Sequence, residues 1–267
     1  MKQQLPFEMI YQATALVVAI ILVHLVYVTV IRPNADAMIA VQNQLAAESG
    51  DYIPVRSIYV VLKDYEQESC FVLMFWAIAI MGYKGRSALR ERSLLNEDIV
   101  RVSEGLSILP EDTREYTRAI QALPENTQNY LLPRALMAAL QRFASTRNVQ
   151  DVSEAVRSVC DSESNRLDSE LSMVRYIAWA IPSIGFIGTV RGISDALGQA
   201  YKAVEGDIAG VTASLGVAFN STFTALIISI LIMFLMHQVQ LIQDRLVLDS
   251  QNYCDHRLLR HLQVRDV

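Results

Sequence analysis

Two stretches near the C-terminal end constrain this chain more than any other feature. They are AWAIPSIGFIGTVRGISDAL (residues 178–197) and GVTASLGVAFNSTFTALIISILIMFLMH (residues 210–237). Each is long and apolar enough to cross a bilayer, which takes about 20 such residues in a helix. Each is also rich in Gly, Ala, Ser and Thr, and neither has a carboxylate at its centre. Helices of that composition pack closely against other helices and offer hydroxyls to whatever passes between them. This is the pattern of a membrane pore wall.

The rest of the chain agrees. Hydrophobic residues make up 52% of it and cluster in runs, and the net charge of −5 gives no electrostatic basis for binding nucleic acid. Cys70, Cys160 and Cys254 are odd in number and widely spaced, so they suggest neither a disulfide framework nor a metal site. The first apolar stretch is long and is followed by Arg32, Pro33 and Asn34 rather than a small-residue cleavage site, so it reads as a retained span. There is no Gly-rich phosphate loop, zinc spacing or nucleophile triad, so no enzyme and no cofactor is expected.

Four spans are expected, at residues 9–31, 69–83, 176–195 and about 209–237. The second is short, with Trp76 and Tyr83 placed to anchor its ends. Lys84, Arg86, Arg90 and Arg92 follow it directly, and Arg245, Arg257, Arg260 and Arg265 follow the fourth. Positive charge of this kind marks the cytoplasmic side. The segment 33–68 carries Asp36, Glu48, Asp51, Asp64, Glu66 and Glu68 against only Arg56 and Lys63, so it should face the other side. Both termini are then cytoplasmic.

The expected fold class is an all-α integral membrane protein. It has four transmembrane helices, long cytoplasmic extensions of the last two, and a helical cytoplasmic insert. Residues 1–83 hold the first two spans with an extracytoplasmic loop at 33–68. Residues 84–175 form the insert, 176–237 the last two spans, and 238–267 a helical tail. Pro110 and Pro124, each followed by an acid, mark helix starts. Helices are expected at about 87–108, 111–122 and 128–146. From Val149 nothing breaks a helix until Pro182, and Glu154, Arg157, Glu163, Arg166 and Glu170 keep part of that rod wet. The helix after residue 237 should continue through Gln240, Asp244 and Gln251. No segment shows strand alternation.

In the third span, Gly188, Gly192, Ala196 and Ala200 recur every four residues, and Gly185 and Thr189 form a second pair one row away. Such ladders let helix backbones approach closely, and a plain packing seam would account for them equally well. Pro182 should bend this helix. The fourth span carries Thr212, Ser214, Asn220, Ser221, Thr222, Thr224 and Ser229. Ser214, Ala218 and Thr222 share one face, and Ser221, Ala225 and Ser229 a neighbouring one. Hydroxyls can bond their own i−4 carbonyls, which would explain two or three of these. Seven of them, with Asn-Ser-Thr at mid-depth, favour a polar pore face.

No Asp or Glu falls in the interior of any expected span, Asp195 standing at the very end of the third, although proteins that move ions usually carry an intramembrane acid. If protons or Na⁺ move here, the titrating acid should come from a second protein. Asp195 and Asp207 bracket the outer end of the last hairpin, where Arg191 can snorkel, which makes Arg191 and Asp195 candidates for an outer-rim gate. His24 reads as a packing residue, with a proton relay as the alternative. Glu66 and Glu68 read as the rim of the second span.

The segment IGFIGTVRGISDAL resembles the "GLxGTVxGI" motif of the MotA/TolQ/ExbB proton channel family, with Gly185, Gly188, Thr189, Val190, Gly192 and Ile193 in the matching places. The segment LGVAFNSTFTALIIS is similar to the family's last-helix motif, and Thr222 matches its threonine. The resemblance covers residues 178–237. It implies a homopentamer in the bacterial inner membrane around two helices of a MotB/TolR/ExbD-like B subunit, which carries an essential transmembrane Asp. Flow of H⁺ or Na⁺ past that Asp would turn the pentamer and perform work. The resemblance assigns Thr189 and Thr222 to the ion path, with Asn220 and Ser221 beside them, and leaves Pro182, Gly185, Gly188, Gly192 and Ala218 as helix-packing positions. Arg191 and the Asn220-Ser221 pair depart from the family pattern, and no Glu occupies the fourth span. The alternatives are a non-conducting membrane scaffold, which the large polar insert would suit, and a secondary transporter, for which no inverted repeat is visible.

Overall fold

The structure, a computed structural model, describes residues 4–48, 57–100, 107–206 and 208–263. Asp51, Arg56, Asp207 and Arg265, used above for orientation and the outer rim, lie outside the described residues, as does the side chain of Glu48. Among the described residues nearly everything is helix, and no strand forms beyond one isolated bridge between Ile108 and Leu262. The chain divides into two compact units, one of Met1–Met81 with Met173–Met236 and the other of Gly82–Ser172 with His237–Val267.

The first unit contains the apolar helices. α1 (Gln4–Val26) passes through a π-helical turn (Tyr27–Ile31) into α2 (Arg32–Glu48). The π turn has a cause in the sequence. Pro33 has no N–H, so a carbonyl upstream loses its partner and the ladder shifts register. Side chains fill in, Thr29 Oγ1 donating to Leu25 O (2.7 Å) and Asn34 Nδ2 to Val30 O (2.7 Å). The segment 33–68 therefore contains α2, a short α3 (Ile58–Leu62) and the start of α4 (Tyr65–Ser93). Trp76 Nε1 donates to Gln12 O (2.9 Å) and Tyr11 OH to Ala79 O (3.2 Å), which tie α4 to α1.

α9 (Ser172–Gly198) and α11 (Ala209–Arg257) carry the two small-residue stretches, with a short α10 (Ala200–Val204) between them. α9 runs through Pro182 without stopping. The proline frees the Ala178 carbonyl one turn back, and Ser229 Oγ of α11 donates to it (3.0 Å). Three helical stretches are long and apolar enough to cross a membrane: Phe7–Gln42, Val149–Gly198 and Ala209–His261. Their large apolar side chains face outward, among them Ile21 (60% exposed), Trp179 (70%) and Phe223 (62%). A surface of that kind belongs against lipid or protein rather than water. The short stretch 69–83 lies within α4 and is not among the three.

The second unit has a conventional core. α7 (Leu131–Thr146) buries Leu132, Leu136, Leu140 and Phe143, a helical stripe, against Val152, Val156 and Cys160 of α8 (Val149–Glu170). Cys254, Leu258 and Leu262 from the chain's end complete it. α5 (Thr113–Gln121) and the single turn α6 (Glu125–Gln128) cover one side.

One expected helix needs correction. The helix expected over 87–108 ends at Ser93, continues as a 3-10 turn at Leu94–Asn96, and is then irregular. Residues 101–106 are outside the described residues. Beyond them Ile108 pairs with the C-terminal segment, its N–H donating to His261 O (2.7 Å) while Gln263 N–H donates to Ile108 O (3.1 Å). A partner about 150 residues away in sequence thus takes the bonds that a helix would have used. The rod expected from Val149 runs as one helical stretch to Gly198, with a single turn residue at Leu171, fully buried, whose N–H bonds back to Asp168 O (3.2 Å).

Candidate functional site

The glycine ladder is a contact between α9 and α11. A Cβ on Gly185 would stand 2.5 Å from Ala225 Cβ, and one on Gly188 would stand 2.5 Å from Ser221 Cβ. On Gly192 it would meet the backbone itself, 2.7 Å from both Ala218 N and Ser214 O. Gly185, Gly188, Gly192, Ala196 and Ala218 are all buried in this seam. Only hydrogen fits at the three glycines, so the backbones come close enough for short hydroxyl side chains to bridge them.

Thr189 and Thr222 make that bridge. Their hydroxyls are hydrogen-bonded to each other. Thr222 Oγ1 also reaches Gly185 O (3.0 Å), and Thr189 Oγ1 reaches Ala218 O (3.1 Å) and Gly185 O (3.3 Å). Each hydroxyl has one proton and two lone pairs, and several acceptors compete for the two protons. Either threonine can therefore be the donor between the two. Both residues are only partly buried, so the pair sits at the edge of the seam rather than within it.

The other residues singled out from the sequence take different places. Asn220 is partly buried and adjoins the pair along α11. Ser221 is 1% exposed and lies inside the seam, where it donates to Val217 O (2.9 Å) and accepts from Gln67 Nε2 (3.4 Å). Ser214 accepts from Gln199 Nε2 (3.1 Å), and Thr212 bonds its own helix at Ile208 O (3.0 Å). With Ser229 on the proline-freed carbonyl, much of the polar content of the fourth span is used inside the protein. Asp195 is exposed. Arg191 grips Glu66 with both arms of its guanidinium, at 2.8 Å each, with Asp64 at 3.8 Å. Arg191 and Asp195 are thus not paired with each other; Arg191 belongs with the start of α4.

Sequence reasoning missed one constellation. Glu68, 8% exposed, accepts from His24 Nδ1 (2.7 Å) and is bonded on its other oxygen by Arg32. His24 lies within the first apolar span and has an acid partner after all, so Glu68 is more than a polar rim. The signal was present but indirect. His24 and Arg32 are eight residues apart, and the slower winding of the π turn between them brings both onto one carboxylate.

In the second unit, Glu163 is 1% exposed between two guanidinium groups, Arg134 Nη1 at 3.0 Å and Arg166 Nε at 3.1 Å. Burial by itself would raise the carboxyl, but Arg166 and Arg134 outweigh it and hold it below the usual carboxylate value. Lys84 is likewise paired, with Glu170 at 2.7 Å.

Searches of curated proteins and of solved structures gave no match. The model of the MotA/TolQ/ExbB proton channel family matches residues 127–252, which include α7, α8, α9 and all but the last residues of α11. With its glycine seam, its bridging threonines and its long apolar helices, the chain is similar over residues 127–252 to the MotA/TolQ/ExbB proton channel family.

Proposed function

We propose that this chain is the pore-forming subunit of an ion-driven motor in the bacterial inner membrane. Five copies would surround two helices of a MotB/TolR/ExbD-like B subunit, and H⁺ or Na⁺ entry would be coupled to rotation and mechanical work. In this arrangement the apolar part of α4 is a fourth span, both termini are cytoplasmic, and α9 and α11 line the pore. Thr189 and Thr222 face the B-subunit carboxylate, Asn220 flanks them, and the Arg191–Glu66 pair stands at the outer rim.

The observation that carries this reading is the hydrogen-bonded pair of Thr189 and Thr222 at the edge of the glycine seam. Two hydroxyls that can exchange donor and acceptor roles can pass a proton, or share an ion's coordination, with a carboxylate that moves past them. The seam fixes their spacing, and the partner would supply the acid that the interiors of the last two expected spans lack.

Thr222→Val tests it. Valine keeps the shape and removes the hydroxyl, while Thr189 retains its bonds to Ala218 O and Gly185 O. Coupled ion flux should fall at least tenfold with the amount of assembled complex unchanged. Full activity in this variant would remove Thr222 from the ion path, and with it the main support for a conducting role over a scaffold.

A further inference from the structure

Three consecutive side chains at the start of α4 each hold a different helix. Glu66 holds Arg191 of α9 (2.8 Å). Gln67, fully buried, donates to Ser221 of α11 (3.4 Å) and to Val61 O (3.0 Å). Glu68 holds His24 of α1 (2.7 Å) and Arg32 of α2. Ser221 directly precedes Thr222, so α4 reaches the neighbourhood of the hydroxyl pair without touching it.

The Glu68 end has the chemistry of a proton site. Arg32 balances the carboxylate charge on one oxygen. A neutral His24, with its proton on Nδ1, can therefore donate to the other. This leaves Nε2 as a base, on a ring held at Nδ1 by Glu68 and 59% exposed on the outward surface of the helix. Imidazole is the side chain whose charge ordinarily changes near neutral pH. The surroundings also hold unused bonding capacity. Among the described residues the Tyr27 hydroxyl and Gln67 Oε1 are buried with no hydrogen-bond partner, Tyr27 being 2% exposed with its ring 5.8 Å from the Arg32 guanidinium. Buried polar atoms of this kind are uncommon, and these two adjoin Arg32 and Glu68. Among the described residues, further charged and titratable neighbours are Asp64, Tyr65 and Cys70. Asp64 is within 3.8 Å of Arg191, and the Tyr65 ring stacks 4.4 Å from Arg32.

We propose that His24, Glu68 and Arg32 form a proton-binding centre separate from the Thr189–Thr222 pair, and that its occupancy sets how firmly the start of α4 holds α9 and α11. A proton taken up at Nε2 turns a neutral hydrogen bond to Glu68 into an ion pair, which is stronger. The tie between α1 and α4 tightens, and Glu66 and Gln67, rigidly joined to Glu68 in one helical turn, tighten on Arg191 and Ser221. The proton site itself is independent of the motor reading. Its effect on Thr222 matters for function only if that reading holds, and neither measurement below uses ion flux, so the two can fail separately.

Full-length protein labelled with ¹⁵N at histidine and placed in lipid nanodiscs tests the centre. The His24 signal is identified by its loss in His24→Asn, a substitution that leaves an amide N–H where Nδ1–H stands and so keeps the fold. The His24 ring should carry its proton on Nδ1, facing Glu68, and gain a second on Nε2 when the sample is acidified. Glu68→Gln should alter that uptake. A ring protonated on Nε2 at high pH, or uptake identical in Glu68→Gln, overturns the centre. The link is read with Thr222→Cys labelled by a maleimide at about pH 6 and pH 8, and the ratio of the two rates should differ about threefold between the otherwise unaltered chain and its His24→Asn form. Equal ratios overturn the regulatory step.

Discussion

At the scale of single residues, hydroxyls and charges are placed by what the backbone leaves unsatisfied. Ser229 shows this most clearly. In the sequence it belongs to a polar face; in the structure it donates to the carbonyl that Pro182 deprives of a partner. Thr189 and Thr222 are different, because they bond each other as well as the backbone. Glu163 lends itself to a direct pH test. Its carboxyl is held below the ordinary value of about 4.3, so its contribution to stability is present above that value and is lost as pH falls through the lowered one. Glu163→Gln should lower stability at pH 7 by about 1–2 kcal/mol, less than for a fully buried pair because both arginines are partly exposed. The difference in melting temperature from the unaltered chain should close as pH falls below about 4.

At the scale of elements, spacing was legible and long-range pairing was not. The ladder Gly185, Gly188, Gly192 named its own role, since small residues every three or four positions form a close helix contact wherever they meet a partner. The stripe on α7 was equally plain. The end of α4 was not, because Ile108 bonds to a segment near the other end of the chain, and no local pattern announces that. The single turn residue at Leu171 also has no mark in the sequence. Two substitutions test these elements. Gly192→Ala should destabilise the protein by about 1–3 kcal/mol, because the added carbon meets backbone atoms of α11 rather than a movable side chain. Gly82→Ala, where nothing lies within 4 Å, should instead stabilise α4 by up to about 1 kcal/mol. Arg147 ends α7 with a φ of 53°, a left-handed conformation that suits glycine. Arg147→Gly should therefore raise the melting temperature, by an amount equivalent to about 1 kcal/mol.

At the scale of the whole molecule, the helical membrane class and the family resemblance over residues 127–252 were legible because they rest on composition and on two short motifs. The contact of Glu68 with His24 was not legible, since it arises only through the π turn and the packing of α4 on α1. Much of α1, α9 and α11 presents bare apolar side chains, as expected of a protein whose helices lie in a membrane. The most direct measurement is an image of the particle purified from membranes together with its co-produced partner. The account predicts five copies in a ring around two central helices, with Thr189 and Thr222 facing those helices. A monomer, or a ring in which the two threonines face lipid, would contradict it.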